Sequence, residues 1–216
     1  MKNIASNNTA FDIVKAGSEK PFIRRALQQA MQQNASAALW RLPGERTIRL
    51  LINISGIEKL SDHSYEEREP GFMMASYQGD DYYLKADLFW DDDSNRIAIR
   101  ESLKNRDKVV EFIENIHGQE TDSPLSLHVV DSSSIPIDKE GYISLVQKAV
   151  EGIEKGLFQK VVPARCTKRP VADGDTILKA FFNLAESYPN AFVSLVSSPD
   201  TGTWLGASPE LLVSTE

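Results

Sequence analysis

Two stretches are the most informative parts of the sequence: Phe158-Gln159-Lys160-Val161-Val162-Pro163-Ala164-Arg165 and Trp204-Leu205-Gly206-Ala207-Ser208-Pro209-Glu210. The first is rich in apolar residues and predicts a buried strand over residues 158–167. Lys160 stands inside that strand, with apolar neighbours on its own face because side chains alternate along a strand. The second stretch predicts a strand followed by a tight turn that fixes Glu210, 50 residues after Lys160.

Outside these two stretches, apolar periodicity and turn residues predict a mixture of helices and short strands. Asp138 is expected to cap one helix, which Gly156 ends, and Asp175 to cap another. Two further helices are predicted, over residues 21–33 and 105–116. The remaining predicted strands cover residues 37–42, 47–52, 71–76, 82–90, 96–99, 191–196, 203–205 and 210–214.

These elements predict an α+β fold in which helices pack on antiparallel sheets. The strands over residues 37–42 and 47–52 form a candidate hairpin, because Pro43-Gly44-Glu45 between them is a turn signal. A polar stretch over residues 118–126 is the best candidate for a boundary. We therefore divide the chain into a front part, residues 1–125, and a second part, residues 126–216.

Composition excludes several classes of protein. With 216 residues and 41% hydrophobic content the chain can bury a sizeable core, and its net charge of −7 argues against a nucleic-acid partner. The single cysteine, Cys166, permits no internal disulfide, which fits a reducing compartment. No apolar run approaches the ~18 residues of a membrane helix, and none resembles a signal peptide. We expect a cytoplasmic protein without a membrane partner.

Lys160 and Glu210 are the two candidate catalytic residues, and each has a simpler interpretation. Lys160 could be an edge-strand lysine that blocks pairing. If it is partly desolvated instead, it can act as a general base near neutral pH, because burial disfavours the charged form. Glu210 could be a solvated glutamate after a turn, or a protonated carboxyl held near a substrate.

Other polar residues are weaker candidates. Asp91-Asp92-Asp93 could bind a hard cation, but a solvated turn explains it better. His63, His117 and His128 have no metal-ligand spacing, and Cys166 lies in no catalytic signature.

The segments 156–165 and 204–212 resemble two motifs of the chorismate-utilising enzymes, in the same order and at similar spacing. The resemblance is strong over residues 139–216 and loose over residues 20–120. It implies an incomplete form of that α+β fold, with residues 1–125 as its variable N-terminal part and residues 126–216 as the start of the chorismate-binding catalytic region. A lysine at the position of Lys160 favours the isochorismate synthase branch, in which it activates water for attack at C2 of chorismate. Glu210 matches the general acid that protonates the departing C4 hydroxyl.

The resemblance also implies Mg²⁺, with its ligands expected beyond Glu216, and a monomer when the protein is complete. The chain is then expected to be the front of a longer protein and inactive by itself. The product would serve menaquinone or catechol siderophore synthesis. The alternatives are a salicylate or anthranilate synthase type of enzyme, or a non-catalytic remnant that binds a ligand.

Overall fold

The computed structural model describes residues 11–15, 19–60, 68–76, 79–100, 106–118, 123–130 and 136–209. Chain contacts divide the protein into two compact units: the sheet unit, Met1–Val130 with Asp173–Glu216, and the connecting unit, Asp131–Ala172. The sheet unit holds β1 (Phe11–Lys15), α1 (Glu19–Gln32), β2 (Ser36–Arg41), β3 (Ile48–Asn53), β4 (Glu58–Leu60), β5 (Gly71–Met74), β6 (Asp81–Lys85), β7 (Leu88–Asp91), β8 (Arg96–Arg100), α2 (Arg106–Gly118), α4 (Gly174–Ser187), β9 (Phe192–Ser198) and β10 (Gly202–Ser208). The connecting unit holds α3 (Lys139–Glu154).

Seven strands form one antiparallel sheet in the order β1-β8-β7-β3-β2-β9-β10. The predicted hairpin is confirmed, since β2 pairs with β3 and places Ala37 opposite Ile52. A second hairpin joins β9 to β10 through a continuous register of seven residue pairs. The sheets and helices together confirm the predicted α+β class.

One face of the large sheet packs against α1, α2 and α4. A row of apolar residues crosses that face because strand partners share a side of the sheet: Leu205, Leu195, Leu39, Leu50, Trp90 and Ile97. The Phe22 ring of α1 lies 5.2 Å from the ring of Trp90, and Phe112 of α2 and Phe181 of α4 are fully buried in the same core. Burial of a large apolar side chain stabilises the fold by about 1.5–3 kcal/mol, so this is the main core.

The opposite face is covered in part by a small sheet of order β4-β6-β5. Leu84 of β6 joins Trp40, Leu51 and Val196 of the large sheet in a second apolar cluster. The Trp40 ring lies 5.4 Å from that of Phe72 on β5. Two sheets therefore sandwich this second core.

The prediction of one strand over residues 82–90 is wrong, because that stretch forms β6 and β7 in different sheets. The chain changes sheets at Asp87, whose side chain is fully buried. Its carboxylate accepts hydrogen bonds of 2.7 Å from the backbone N–H groups of Ile54 and Ser55 and one of 2.6 Å from Arg100. A buried carboxylate needs such partners, and alternation of apolar residues does not reveal them.

In the connecting unit, α3 begins as predicted at an Asp138 cap, whose side chain accepts from the backbone N–H of Gly141 at 2.7 Å. It ends before Gly156, which adopts a φ of +70° that favours glycine. The strand predicted over residues 158–167 is absent: this described segment has no regular structure. A strand requires a hydrogen-bonded neighbour, and no described strand pairs with this segment.

Candidate active site

The motif that ends in Glu210 is carried by the edge hairpin of the sheet unit. Gly206 pairs with Ser194 of β9, and Ser208 pairs with Phe192. The residues Gly206–Ser208 therefore extend β10 and form no tight turn, contrary to the prediction. A turn would require these residues to leave the ladder, whereas β9 is long enough to pair all of them. Pro209 is the last residue described, and Glu210 lies outside the described residues.

A small polar network fixes the start of this hairpin. The Ser197 and Thr203 hydroxyl groups lie 2.8 Å apart, and Thr203 Oγ1 donates to the His128 carbonyl at 2.7 Å. The His128 ring Nε2 lies 3.0 Å from the carbonyl oxygen of Ala35. Nothing in the sequence indicated this role for His128, because its hydrogen-bond partners lie 69 to 93 residues away along the chain. Its role here is to clamp the segment 123–130 onto the sheet.

The helix before the hairpin, α4, is held at its N-terminus. Its cap is Asp173, which accepts from the Thr176 backbone N–H at 2.8 Å, so the prediction that Asp175 caps this helix is wrong. Asp175 instead pairs with Arg24 of α1 at 2.7 Å and accepts from the Leu125 backbone N–H at 2.9 Å. The hydrogen bond from Arg24 is the main cause that lowers the pKa of Asp175, and the same bond raises the pKa of Arg24.

The loop after α4 is held by Arg41, which is 3% exposed at the end of β2. Its guanidinium donates to five backbone carbonyl groups at distances of 2.6 to 3.1 Å: those of Leu42, Glu45, Tyr188, Pro189 and Ala191. The Gly44 N–H also donates to the Pro189 carbonyl at 2.9 Å. Both ends of α4 are thus held by hydrogen bonds, and the same contacts fix the position at which β9 begins.

Lys160 lies in the connecting unit, where the structure places it in an irregular segment with an exposed side chain. The desolvation expected of a strand lysine is therefore absent from the described structure. Nearby, the Phe158 ring fills the space beside Gly152, at 2.5 Å from where a Cβ would stand. The Arg165 guanidinium lies 5.4 Å from the Tyr142 ring centroid. These two contacts tie the segment to α3.

The two predicted catalytic residues belong to different units of the chain. Lys160 belongs to the connecting unit, and Glu210 belongs to the sheet unit outside its described residues. Their assignment as base and acid therefore stays a prediction, as does the division of the chain at residue 125.

The aspartate run at residues 91–93 leads into the turn between β7 and β8, where a hairpin turn was predicted. Asp91 accepts from the backbone N–H of Ser94 at 2.7 Å, Asp92 accepts from that of Ile48 at 2.8 Å, and Asp93 accepts from the Thr47 hydroxyl. Within the described ranges, no group of three His, Cys, Asp or Glu side chains could hold a metal ion. The described residues therefore do not fit a magnesium site.

The fold and the candidate site define an α+β protein whose antiparallel sheet carries Gly206-Ala207-Ser208, the described start of the motif, on its edge hairpin. The family model described as chorismate binding enzyme matches residues 19–216, and the chain belongs to this family. The match includes Lys160 and Glu210 and extends through the front half, where the resemblance of individual motifs was loose. No curated protein matches the sequence. In the part of the chain that the structure describes, no helix has the length and apolar character needed to cross a bilayer.

Proposed function

We propose that this protein is an isochorismate synthase, which converts chorismate to isochorismate. The observation that carries the proposal is Lys160, a lysine within the residues that the family model matches. The resemblance implies that a lysine at this position favours water addition over amination. Chorismate is the substrate that membership of the family supports. The particular reaction rests on the identity of this one side chain.

In the proposed reaction Lys160 removes a proton from water, and the water oxygen forms a bond to C2 of chorismate. The ring double bonds shift, and the C4–O bond breaks. Glu210 supplies a proton to the departing C4 hydroxyl group, which leaves as water. One water molecule enters and one leaves, so the reaction is an isomerisation. Hydroxide is a poor leaving group, which is why proton transfer from Glu210 must accompany cleavage of the C–O bond.

The side chain of Lys160 is exposed, so the proposed reaction requires the bound substrate to change the surroundings of this residue. A general base must be unprotonated to work, and an exposed ammonium group is well hydrated. Binding of chorismate is proposed to displace bulk water from around Lys160. The Phe158 and Arg165 contacts with α3 limit where the segment can move as the substrate binds.

Mg²⁺ is proposed as the cofactor on the resemblance alone, with ligands that are not among the described residues. When bound, such an ion would neutralise a substrate carboxylate and orient the ring. No step above depends on it.

The test is product analysis by chromatography after incubation with chorismate and Mg²⁺, with and without ammonia. The protein is expressed as the full reading frame that contains these 216 residues, and the 216-residue chain is assayed in parallel. Isochorismate is the expected product of the full frame. Anthranilate that depends on ammonia, or salicylate with pyruvate, would move the protein to the other branches. Absence of any turnover by the full frame would favour the non-catalytic binding protein.

A further inference from the structure

The connecting unit carries a local excess of positive charge in an acidic protein. Residues 131–172 contain seven Lys or Arg and five Asp or Glu, a net charge of +2. Since the whole chain carries −7, the remaining residues carry −9. Five of the seven cations lie within residues 155–172, a stretch with no acidic residue. The three cations that follow Lys160 are called the basic strip: Arg165, Lys168 and Arg169.

The first part of this segment is fixed along α3. The Phe158 ring packs beside Gly152, and the Arg165 guanidinium lies over the ring of Tyr142. Gly152 and Tyr142 are ten residues apart, which is about 15 Å along a helix. The chain from Phe158 to Arg165 therefore runs back along α3 in the antiparallel direction. Lys160 lies between these two fixed points, and the basic strip begins at the second.

The charges of the basic strip are exposed and uncompensated. Arg165, Lys168 and Arg169 are all exposed. In the described part of the connecting unit, Lys155 pairs with Glu151 at 3.7 Å, whereas no ion pair includes a residue of the basic strip. A paired cation has much of its field cancelled by the neighbouring carboxylate. Unpaired cations instead create a local positive potential, which raises the concentration of anions around them.

We propose that the basic strip attracts the chorismate dianion to the connecting unit, beside Lys160. Chorismate carries two carboxylates, and the negative charge of the remaining chain repels such a molecule at long range. Local cations are therefore needed for the substrate to approach. The proposal deepens the proposed function and rests on it for the identity of the substrate, whereas the attraction of dianions is a property of the connecting unit itself.

Cys166 offers a direct measure of the local potential, because it is exposed, it lies between Arg165 and Lys168, and it is the only thiol in the chain. The rate of disulfide exchange is measured on the 216-residue chain with dithiobis(nitrobenzoate), which carries two carboxylates, and with the uncharged dithiodipyridine. Both reagents react with the same thiolate, so the ratio of their rate constants reports the attraction of the dianion. The ratio should fall as salt is added, because salt screens that attraction.

Variants assign the potential to the basic strip. Lys168→Gln/Arg169→Gln should lower the ratio about three- to tenfold at an ionic strength of about 10 mM, as expected for two cations about 10 Å from a dianion in water. Lys108→Gln/Lys179→Gln is the matched control, because it removes two exposed cations from the sheet unit, and it should change the ratio less than about twofold. A ratio that responds to neither salt nor the strip variant would overturn the proposal. An equal loss in the control would assign the effect to net charge and would also overturn it.

The same variants identify the ligand in the full reading frame. At low salt, Lys168→Gln/Arg169→Gln should raise the KM for chorismate by a similar factor, measured with whichever product forms. If no product forms, the Kd of chorismate from equilibrium dialysis takes its place. An unchanged KM or Kd beside a lowered Cys166 ratio would show that the strip serves another anion, such as an acidic partner protein, and would overturn chorismate as its ligand. A raised KM with anthranilate or salicylate as the product would support the strip and refute the isochorismate synthase proposal, so the two failures are distinguishable.

Discussion

Replacement of Arg41 by lysine should destabilise the sheet unit strongly while keeping the positive charge. The guanidinium of Arg41 donates to five carbonyl groups and joins the β2–β3 turn to the loop after α4. An ammonium group has three N–H donors on one centre, so the variant cannot keep all five hydrogen bonds. The carbonyl groups of Leu42, Tyr188 and Pro189 retain a backbone N–H donor, so the loss falls mainly on those of Glu45 and Ala191. Each buried group left without a partner costs about 1–3 kcal/mol, and we expect Arg41→Lys to lower the free energy of unfolding by about 2–4 kcal/mol.

For a chain of this length that loss corresponds to a fall in Tm of about 5–15 °C. The assay is thermal unfolding followed by circular dichroism, with urea unfolding as a second measure of the free energy. Arg49→Lys is the control, because Arg49 pairs with Glu45 at 2.6 Å at the surface and such pairs contribute about 0–1 kcal/mol. If Arg41→Lys lowers the Tm no more than Arg49→Lys does, water satisfies those carbonyl groups and the argument for Arg41 as an anchor fails.

Four further results are expected. Asp175→Asn should lower the Tm at neutral pH. Pairing with Arg24 lowers the pKa of Asp175, so the ion pair stabilises the fold above the carboxyl's ordinary pKa of about 4. That stabilisation is lost as the pH falls through the lowered pKa of the folded state. Parent and variant melting curves should therefore converge in acid, and a constant gap would contradict the ion pair. Gly71→Ala should cost about 1–3 kcal/mol in urea unfolding, because its Cβ would stand 2.5 Å from a backbone oxygen of β6, and unchanged stability would show that β5 can shift. In the active full-length protein, Lys160→Ala should reduce kcat for isochorismate formation by about 10²–10⁴-fold, and near-normal turnover would remove Lys160 as the base. Glu210→Gln, which keeps shape but cannot give a proton, should lower kcat and kcat/KM together with little loss of chorismate binding, whereas unchanged kcat would exclude Glu210 from the mechanism.

Local signals in the sequence were sufficient for several elements. The apolar stripe of residues 21–33 became α1, and the Asp138 cap and Gly156 stop bound α3 as expected. The turn at residues 43–45 joins β2 to β3. Each of these features depends on residues within a few positions of one another, which is why periodicity and capping rules recover them.

The features that the sequence did not reveal depend on distant partners. Asp87 divides the largely apolar stretch 82–90 between two sheets by binding backbone groups 32 and 33 residues away. Asp175 does not cap α4 as expected. It pairs instead with Arg24, which lies 151 residues away in the sequence. At Lys160 the composition favoured a strand, but a strand also needs an adjacent edge, and composition carries no information about its presence. The candidate base was thus identified by its motif and not by its surroundings.

The pairing of β2 with β9 has a consequence for how the protein is made. Ala37 of β2 lies opposite Ser197 of β9, so 160 residues must be synthesised between the two halves of this central contact. At a translation rate of about 5–20 residues per second, the nascent β2–β3 hairpin waits roughly 8–30 s for β9. During that interval one edge of β2 and the apolar residues around Leu39 are exposed on the ribosome. Slow codons between β3 and β9 should therefore lower the yield of folded protein.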